Sequence, residues 1–196
     1  MAEAYYYLKN YDQSIAEASA AIEAAPDFEW PYYWRGMSRF QMGEIGLAEQ
    51  DLATANRKNR RLGVAHLALG EIHAQNGLIE KAERRYRAAL DADPDLISVY
   101  GSWAHLEMAQ KDWDAAFELL KGALQKAPRT AWLHTQMGMV CLARGARFHS
   151  QGDKEAFRRE TERSMDHFKT ALRFDRTDRD ASLGLKEARR RLAAVD

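Results

Sequence analysis

Cysteine is nearly missing from this chain. Cys141 is the single one, which excludes an intramolecular disulfide framework and a multi-cysteine zinc site. Proline and glycine are scarce, at 4 and 12 residues in 196, too few for the turns of a many-stranded β protein. Neither sign of charge dominates, since 29 Lys and Arg balance 29 Asp and Glu. That balance disfavours a net-basic nucleic-acid binder. No apolar run approaches the roughly 20 residues that span a bilayer. The opening Met1-Ala2-Glu3-Ala4-Tyr5 lacks the basic-then-apolar pattern of a secretory leader, so a cytoplasmic location is expected. Catalytic patterns are missing too. There is no His-Glu-x-x-His pair, no phosphate-binding glycine loop and no Gly-x-Ser-x-Gly elbow. The expectation is a non-enzyme with no catalytic residue, metal ligand or cofactor.

What is present is a period. Gly36, Gly70, Ala104 and Gly138 stand 34 residues apart. The same step relates Ala48, Ala82 and Ala116, and also Ala21, Ala55, Ala89 and Ala123. Several columns in one register mark a repeat array. Inside one period, Leu67, Leu69, Gly70 and Ile72 precede Asn76-Gly77, and Ile79, Ala82, Tyr86, Ala89 and Leu90 follow before Asp93-Pro94. Apolar residues three and four apart predict two amphipathic helices. Asn-Gly predicts the turn between them and Asp-Pro the stop. The small residues let the helices approach closely. One such hairpin has too little core to stand alone and must stack on its neighbours.

These columns resemble the tetratricopeptide repeat, a 34-residue helix–turn–helix unit. Leu69-Gly70, His73 in the Tyr slot, Ala82, Tyr86, Ala89 and Pro94 carry the pattern in one unit. Tyr100, Trp103-Ala104, Ala116, Leu120, Ala123 and Pro128 carry it in the next. The unit before them departs at Arg35, where Leu is usual, and at Arg60, where Pro is usual. The resemblance implies an all-α fold, a right-handed α-solenoid of about five hairpins with a C-terminal capping helix. The units read as about 1–28, 29–62, 63–96, 97–130 and 131–178, and the cap as about 179–194. The first unit is incomplete, with only Met1 to Lys9 left for its first helix.

The last unit carries an insertion. Ala123 and Ala171 are 48 residues apart, fourteen more than the period. The extra residues fall at about 146–159, and Gln151-Gly152-Asp153 is the turn signal within them, with Asp153 as N-cap. Seven residues on each arm lengthen each helix by about two turns without rotating its apolar face. Phe148 and Phe157 would pack this extension, whose tip is expected to contact no other repeat.

His66, His73, His134 and Cys141 fall in packing slots and read as structural residues. Function is expected elsewhere. Ten of the twenty aromatics lie in the first 40 residues, more than one helical hairpin can bury on one side. Tyr and Trp anchor interfaces well, so this end predicts a binding or self-association surface. The resemblance adds a location, because first helices line the concave face in this superfamily. The slots implied are Trp30, Tyr33, Met37, Phe40 and Gln41, then Leu67 and Glu71, then His105 and Met108, then Trp132, Thr135 and Met139. This mainly apolar groove suits an apolar or amphipathic protein segment. The Lys/Asn/Arg clamp of chaperone-binding members has no counterpart at Tyr33, Met37, Ala68, Ser98 and Ser102. The role implied is a protein-interaction scaffold or adaptor. Two alternatives stay open: a recruiting segment of a larger enzyme or assembly factor, and an RNA or acidic-surface binder using the basic run Arg189-Arg190-Arg191.

Overall fold

A computed structural model describes residues 1–194. Among them there are eleven α-helices and no strand. The helices alternate as hairpin arms: α1 (Ala2–Tyr7) and α2 (Tyr11–Ala24), α3 (Glu29–Gln41) and α4 (Ile45–Lys58), α5 (Gly63–Gln75) and α6 (Ile79–Ala92). Then follow α7 (Ile97–Ala109) and α8 (Trp113–Lys126), α9 (Ala131–Ser150) and α10 (Lys154–Phe174), and the closing helix α11 (Arg179–Ala193). The chain divides into two compact bodies, Met1–Val99 and the stretch from Tyr100 onward. In the first, each of α2 to α5 packs on the helices before and after it. In the second, α9 packs on α8, α10 and α11.

One turn recurs. Lys9, Gly43, Gly77, Lys111 and Gly152 all have positive φ, between 59° and 81°. The first four stand one period apart. At each, the following residue donates its N–H five residues back, as in Asp112 to the Glu107 carbonyl at 2.9 Å and Leu78 to His73 at 2.8 Å. This ties off the orphan carbonyls of the first arm and turns the chain into the second. Asn10, Asp112, Asp153 and Asp178 then cap the next helix by accepting from the backbone N–H three residues on.

The small-residue columns are packing seams. Ala48, Ala55, Ala82, Ala89, Ala116 and Ala123 are all fully buried. At Gly70 a Cβ would sit 2.5 Å from the Tyr86 ring, and at Gly138 one would sit 2.6 Å from the Phe168 ring. Each glycine is the flat spot on which a large residue of the opposing arm lies. Cys141 is buried in the same seam, and burial pushes its thiol up to about 12.

The fifth hairpin is longer than the others. Its arms have 20 and 21 residues, against 13 and 14 for α3 and α4. Phe157 is buried, and its ring lies tilted against His149 at 5.0 Å between ring centres. The expectation of a tip free of other repeats needs correcting. Arg147, inside the extension, donates to Asp114 of α8 at 2.8 Å, and Arg144 reaches the same carboxylate at 3.1 Å. The lengthened arm brings a guanidinium level with the start of α8, which spacing alone does not reveal.

Candidate protein-interaction surface

The aromatic end of the first body centres on Trp34, which is buried. Tyr6 and Tyr7 of α1 stand 5.4 and 5.7 Å from it, Tyr33 4.9 Å, and Trp30 stacks on it at 6.5 Å. The short α1 therefore absorbs part of the aromatic excess. Burial also pushes the Tyr33 hydroxyl far above its ordinary pKa, so it stays a neutral donor. Phe28, 53% exposed, and Trp30, 36% exposed, remain open to solvent.

Beside them lies a cavity of about 690 Å³ lined by Met1, Ala2, Ala18, Ala21, Phe28, Trp30, Pro31 and Trp34, with Glu3 and Glu17 among its walls. The repeat explains it. Ala55 is fully buried because Tyr32 and Tyr33 of its own hairpin and Leu62 and Ala65 of the next pack over it. Ala21 is its counterpart one period earlier. Phe28 and Pro31 match Leu62 and Ala65, but the step back from Tyr32 and Tyr33 falls outside this sequence. With six residues in α1 against 13 in α3, Ala21 is left half-buried. The large slot of Leu52, Tyr86 and Leu120 is also reduced to Ala18. The sequence showed the short first arm; only the packing shows the hollow beside it.

The expected groove residues separate into three groups. Tyr33, Met37 and Phe40 are half-buried and pack against Ala48, Leu52, Ala68, Leu69 and Ile72, while Gln41 is exposed. Glu71 is half-buried and close enough to raise the Tyr6 and Tyr33 hydroxyls further. In the second body His105 is exposed, Met108 is half-buried, and Trp132 is 42% exposed. The Trp132 ring stands over Gly101, where a Cβ would come within 2.7 Å.

Two of these positions are not open surface. Leu67 is only 9% exposed and Thr135 only 5%. Thr135 donates its hydroxyl to Asp178, the N-cap of α11. Met139 packs against Phe168, Ala171, Ala181 and Leu185, so α11 covers this hairpin's slots. A generic repeat register cannot anticipate which neighbour covers a slot.

His66, His134 and His167 act as packing groups. His134 and His66 each reach, through Nε2, a carbonyl six residues back, Pro128 at 2.9 Å and Arg60 at 3.3 Å. The other nitrogen of His134 lies 3.1 Å from Nδ1 of His167. Burial, then the His134 neighbour, lowers His167 to about 4. No group of three or more His, Cys, Asp or Glu among the described residues is placed to hold a metal, and no described helix is long and apolar enough to cross a membrane. The basic run at 189–191 is largely spent within its own helix. Arg190 and Arg191 both donate to Glu187, at 2.8 and 2.7 Å, and hold that carboxyl down at about 2.

Comparison with known proteins agrees with this architecture. A family model for the tetratricopeptide repeat matches residues 64–96. The TPR repeat-containing protein MJ1428 of Methanocaldococcus jannaschii is 25% identical over 129 residues, 65% of this chain and 23% of its own length. Among solved structures, the Cut9–Hcn1 hetero-tetramer of APC/C superposes with a TM-score of 0.75 at 20% identity, covering 95% of this chain and 35% of that one. Human IFIT1 in complex with m7Gppp-AAAA gives 0.71 at 22% identity, covering 94% and 43%. MamA gives 0.67 at 14% identity, covering 90% and 95%. The chain thus spans less than half of MJ1428, Cut9 and IFIT1, and at these identities the structures speak to fold alone. Residues 64–96 thus match a tetratricopeptide repeat, and the all-α hairpin fold, with its period, recurring turn and small-residue seams, resembles that of tetratricopeptide-repeat proteins.

Proposed function

We propose that this protein is a non-catalytic interaction scaffold whose first body holds an apolar or amphipathic helical segment of a protein partner at the aromatic end. The observation that carries this is the cavity beside Trp30. It is lined largely by small and aromatic side chains, and it opens beside α1, whose six residues compare with 13 in α3, α5 and α7 and 20 in α9. A helix of about two turns, apolar on one face, fits this hollow in size and chemistry. Glu3 and Glu17 on its walls favour a partner with basic residues flanking that face. Trp30, Tyr33 and the partly open Met37, Phe40 and Gln41 provide the adjoining contact surface, and Trp132, His105 and Met108 offer a smaller one in the second body.

The test is a capture experiment with wild type against a Trp30→Ala/Tyr33→Ala variant, followed by calorimetry on the recovered partner at two salt concentrations. Each alanine should weaken binding by about 2 kcal/mol or more, with little dependence on salt. Affinity unchanged in the double variant refutes the reading. Binding that instead collapses with salt, and on replacing Arg189, Arg190 and Arg191, supports the RNA or acidic-surface alternative.

A further inference from the structure

A second cleft lies in the first body, away from the aromatic end. It encloses about 450 Å³ and is lined by Glu49 of α4, His73 of α5, and Lys81, Arg84, Arg85 and Ala88 of α6. That volume is within the roughly 300–1,000 Å³ of small-molecule sites. The four α6 residues follow at three, four and seven positions from Lys81, so they share one helix face. Ala88 is short and leaves the floor open. Among the described residues, no carboxylate lies within ion-pairing distance of Lys81, Arg84 or Arg85. His73 is 6% exposed, and its Nδ1 has no hydrogen-bond partner; the nearest acid oxygen, on Glu49, is 3.6 Å away. Three cations and one buried nitrogen thus surround a space that holds one acid.

The repeat does not require these residues. One period earlier the α6 cations correspond to Leu47, Gln50 and Asp51, and one period later to Ala115, Glu118 and Leu119. A packing role would keep the residue type in register, as it does for the alanine columns. Mutual repulsion of three like charges on one face carries a cost, and an oxyanion seated among them removes it. Arginine presents a planar fork that fits phosphate, and lysine adds a point charge.

We propose that the cleft between α4 and α6 is a binding site for a dianionic oxyanion, a phosphate group, held by Lys81, Arg84 and Arg85 with His73 as the buried donor at its base. This goes beyond the scaffold reading and does not depend on it. The phosphate can be free or can be a monoester on a protein segment, and both present the same three-fold oxygen array.

The first probe is sodium sulfate, which stays a dianion across the working pH range. It is titrated against sodium chloride at matched ionic strength while the His73 ring signals are followed by NMR. The expected result is a saturable shift at His73 with sulfate and none with chloride. Saturation should also move the His73 titration midpoint upward, because the dianion favours the imidazolium. The Lys81→Ala/Arg84→Ala variant removes two exposed side chains from α6 and leaves its buried face intact. It should bind at least tenfold more weakly, the equivalent of one charge-assisted contact. Arg57→Ala/Arg61→Ala, an equal loss of charge elsewhere, should bind within about twofold of wild type. A linear sulfate response, a matching chloride response, or unchanged affinity in Lys81→Ala/Arg84→Ala overturns the site. Inorganic phosphate and a phosphoserine peptide, with its unphosphorylated control, then separate the sources. Tighter binding of the phosphopeptide than of both others assigns the group to a phosphorylated protein. Equal or tighter binding of inorganic phosphate assigns it to the free anion.

Discussion

The hairpins α3/α4 and α5/α6 share one frame and keep their charge in opposite ways. In the first, Asp51 accepts from Arg35 at 2.9 and 2.8 Å and from Arg39 at 2.7 Å. Two cations on one arm close on one buried acid of the other. In the second, the corresponding residues are Leu69, His73 and Arg85, and the cation has moved to the second arm, where among the described residues no acid is close enough to pair with it. The frame tolerates either arrangement because its alanine and glycine seams set the helix spacing. The closed cluster contributes to the fold. The open one leaves charge facing outward, where it can serve recognition.

Breaking the closed cluster should give the largest effect. Asp51→Ala leaves Arg35 and Arg39 side by side and mostly buried, with only the half-exposed Glu44, 3.8 Å from Arg39, as counter-charge. A loss of about 3 kcal/mol is expected in urea unfolding, as for other broken buried pairs. A loss below about 1 kcal/mol would place the cluster with exposed ion pairs and erase the contrast with α5/α6.

Acid sharpens the comparison in a second way. The arginines of α3/α4 remain charged, whereas α5/α6 and α9/α10 bury histidines in the neutral form. Burial lowers His73 and lowers His167 to about 4. The unfolded chain therefore takes up these protons first. Stability should be complete above about pH 6.5 and fall as the pH drops through 6.5 towards 4. After a discount for partial exposure, His167 accounts for about 1–2 kcal/mol of this. Thermal unfolding between pH 7.5 and 4.5 measures it, and His167→Gln should flatten the slope. An unchanged slope in that variant would remove His167 from the account.

The smallest effect separates turns that are otherwise alike. Gly43 and Gly77 hold the left-handed position in α3/α4 and α5/α6, while Lys111 holds it between α7 and α8 with φ of 63°. Lys111→Gly should raise stability by about 0.5–1 kcal/mol, because glycine carries no Cβ penalty there. Gly77→Ala should lower it by about 1 kcal/mol. Equal and negligible changes at both sites would mean that the turn is set by its hydrogen bonds and not by backbone preference.

Much of the fold is legible in the sequence because its determinants repeat. Gly36, Gly70 and Gly138 signal themselves by recurring, and so do the alanine columns. The length change at Gln151-Gly152-Asp153 is visible as a break in the same count. Interactions that occur once leave no such trace. Arg35 stood out as a departure from the Leu usual at its position, but its partner Asp51 lies sixteen residues on, with nothing periodic to mark it. Arg147 and Asp114 are 33 residues apart, close to one period, and pair only because α9 is long enough. The site was less legible than the fold. Leu67 and Thr135 occupy slots the repeat leaves open, yet Thr135 is sealed by α11 and Leu67 by its surroundings. Lys81, Arg84 and Arg85 sit on a legible helix face, but the lack of a carboxylate at ion-pairing distance among the described residues is a property of the folded chain.

The buried Cys141 has a practical corollary. Its thiol is sealed within α9 and held protonated far above neutral pH, so a thiol reagent finds no reactive group while the long hairpin stays closed. As the single sulfhydryl in the chain, it makes the rate of labelling a clock for local opening. Read alongside global unfolding, that rate separates fraying of the last hairpin from loss of the whole fold, with no engineered label.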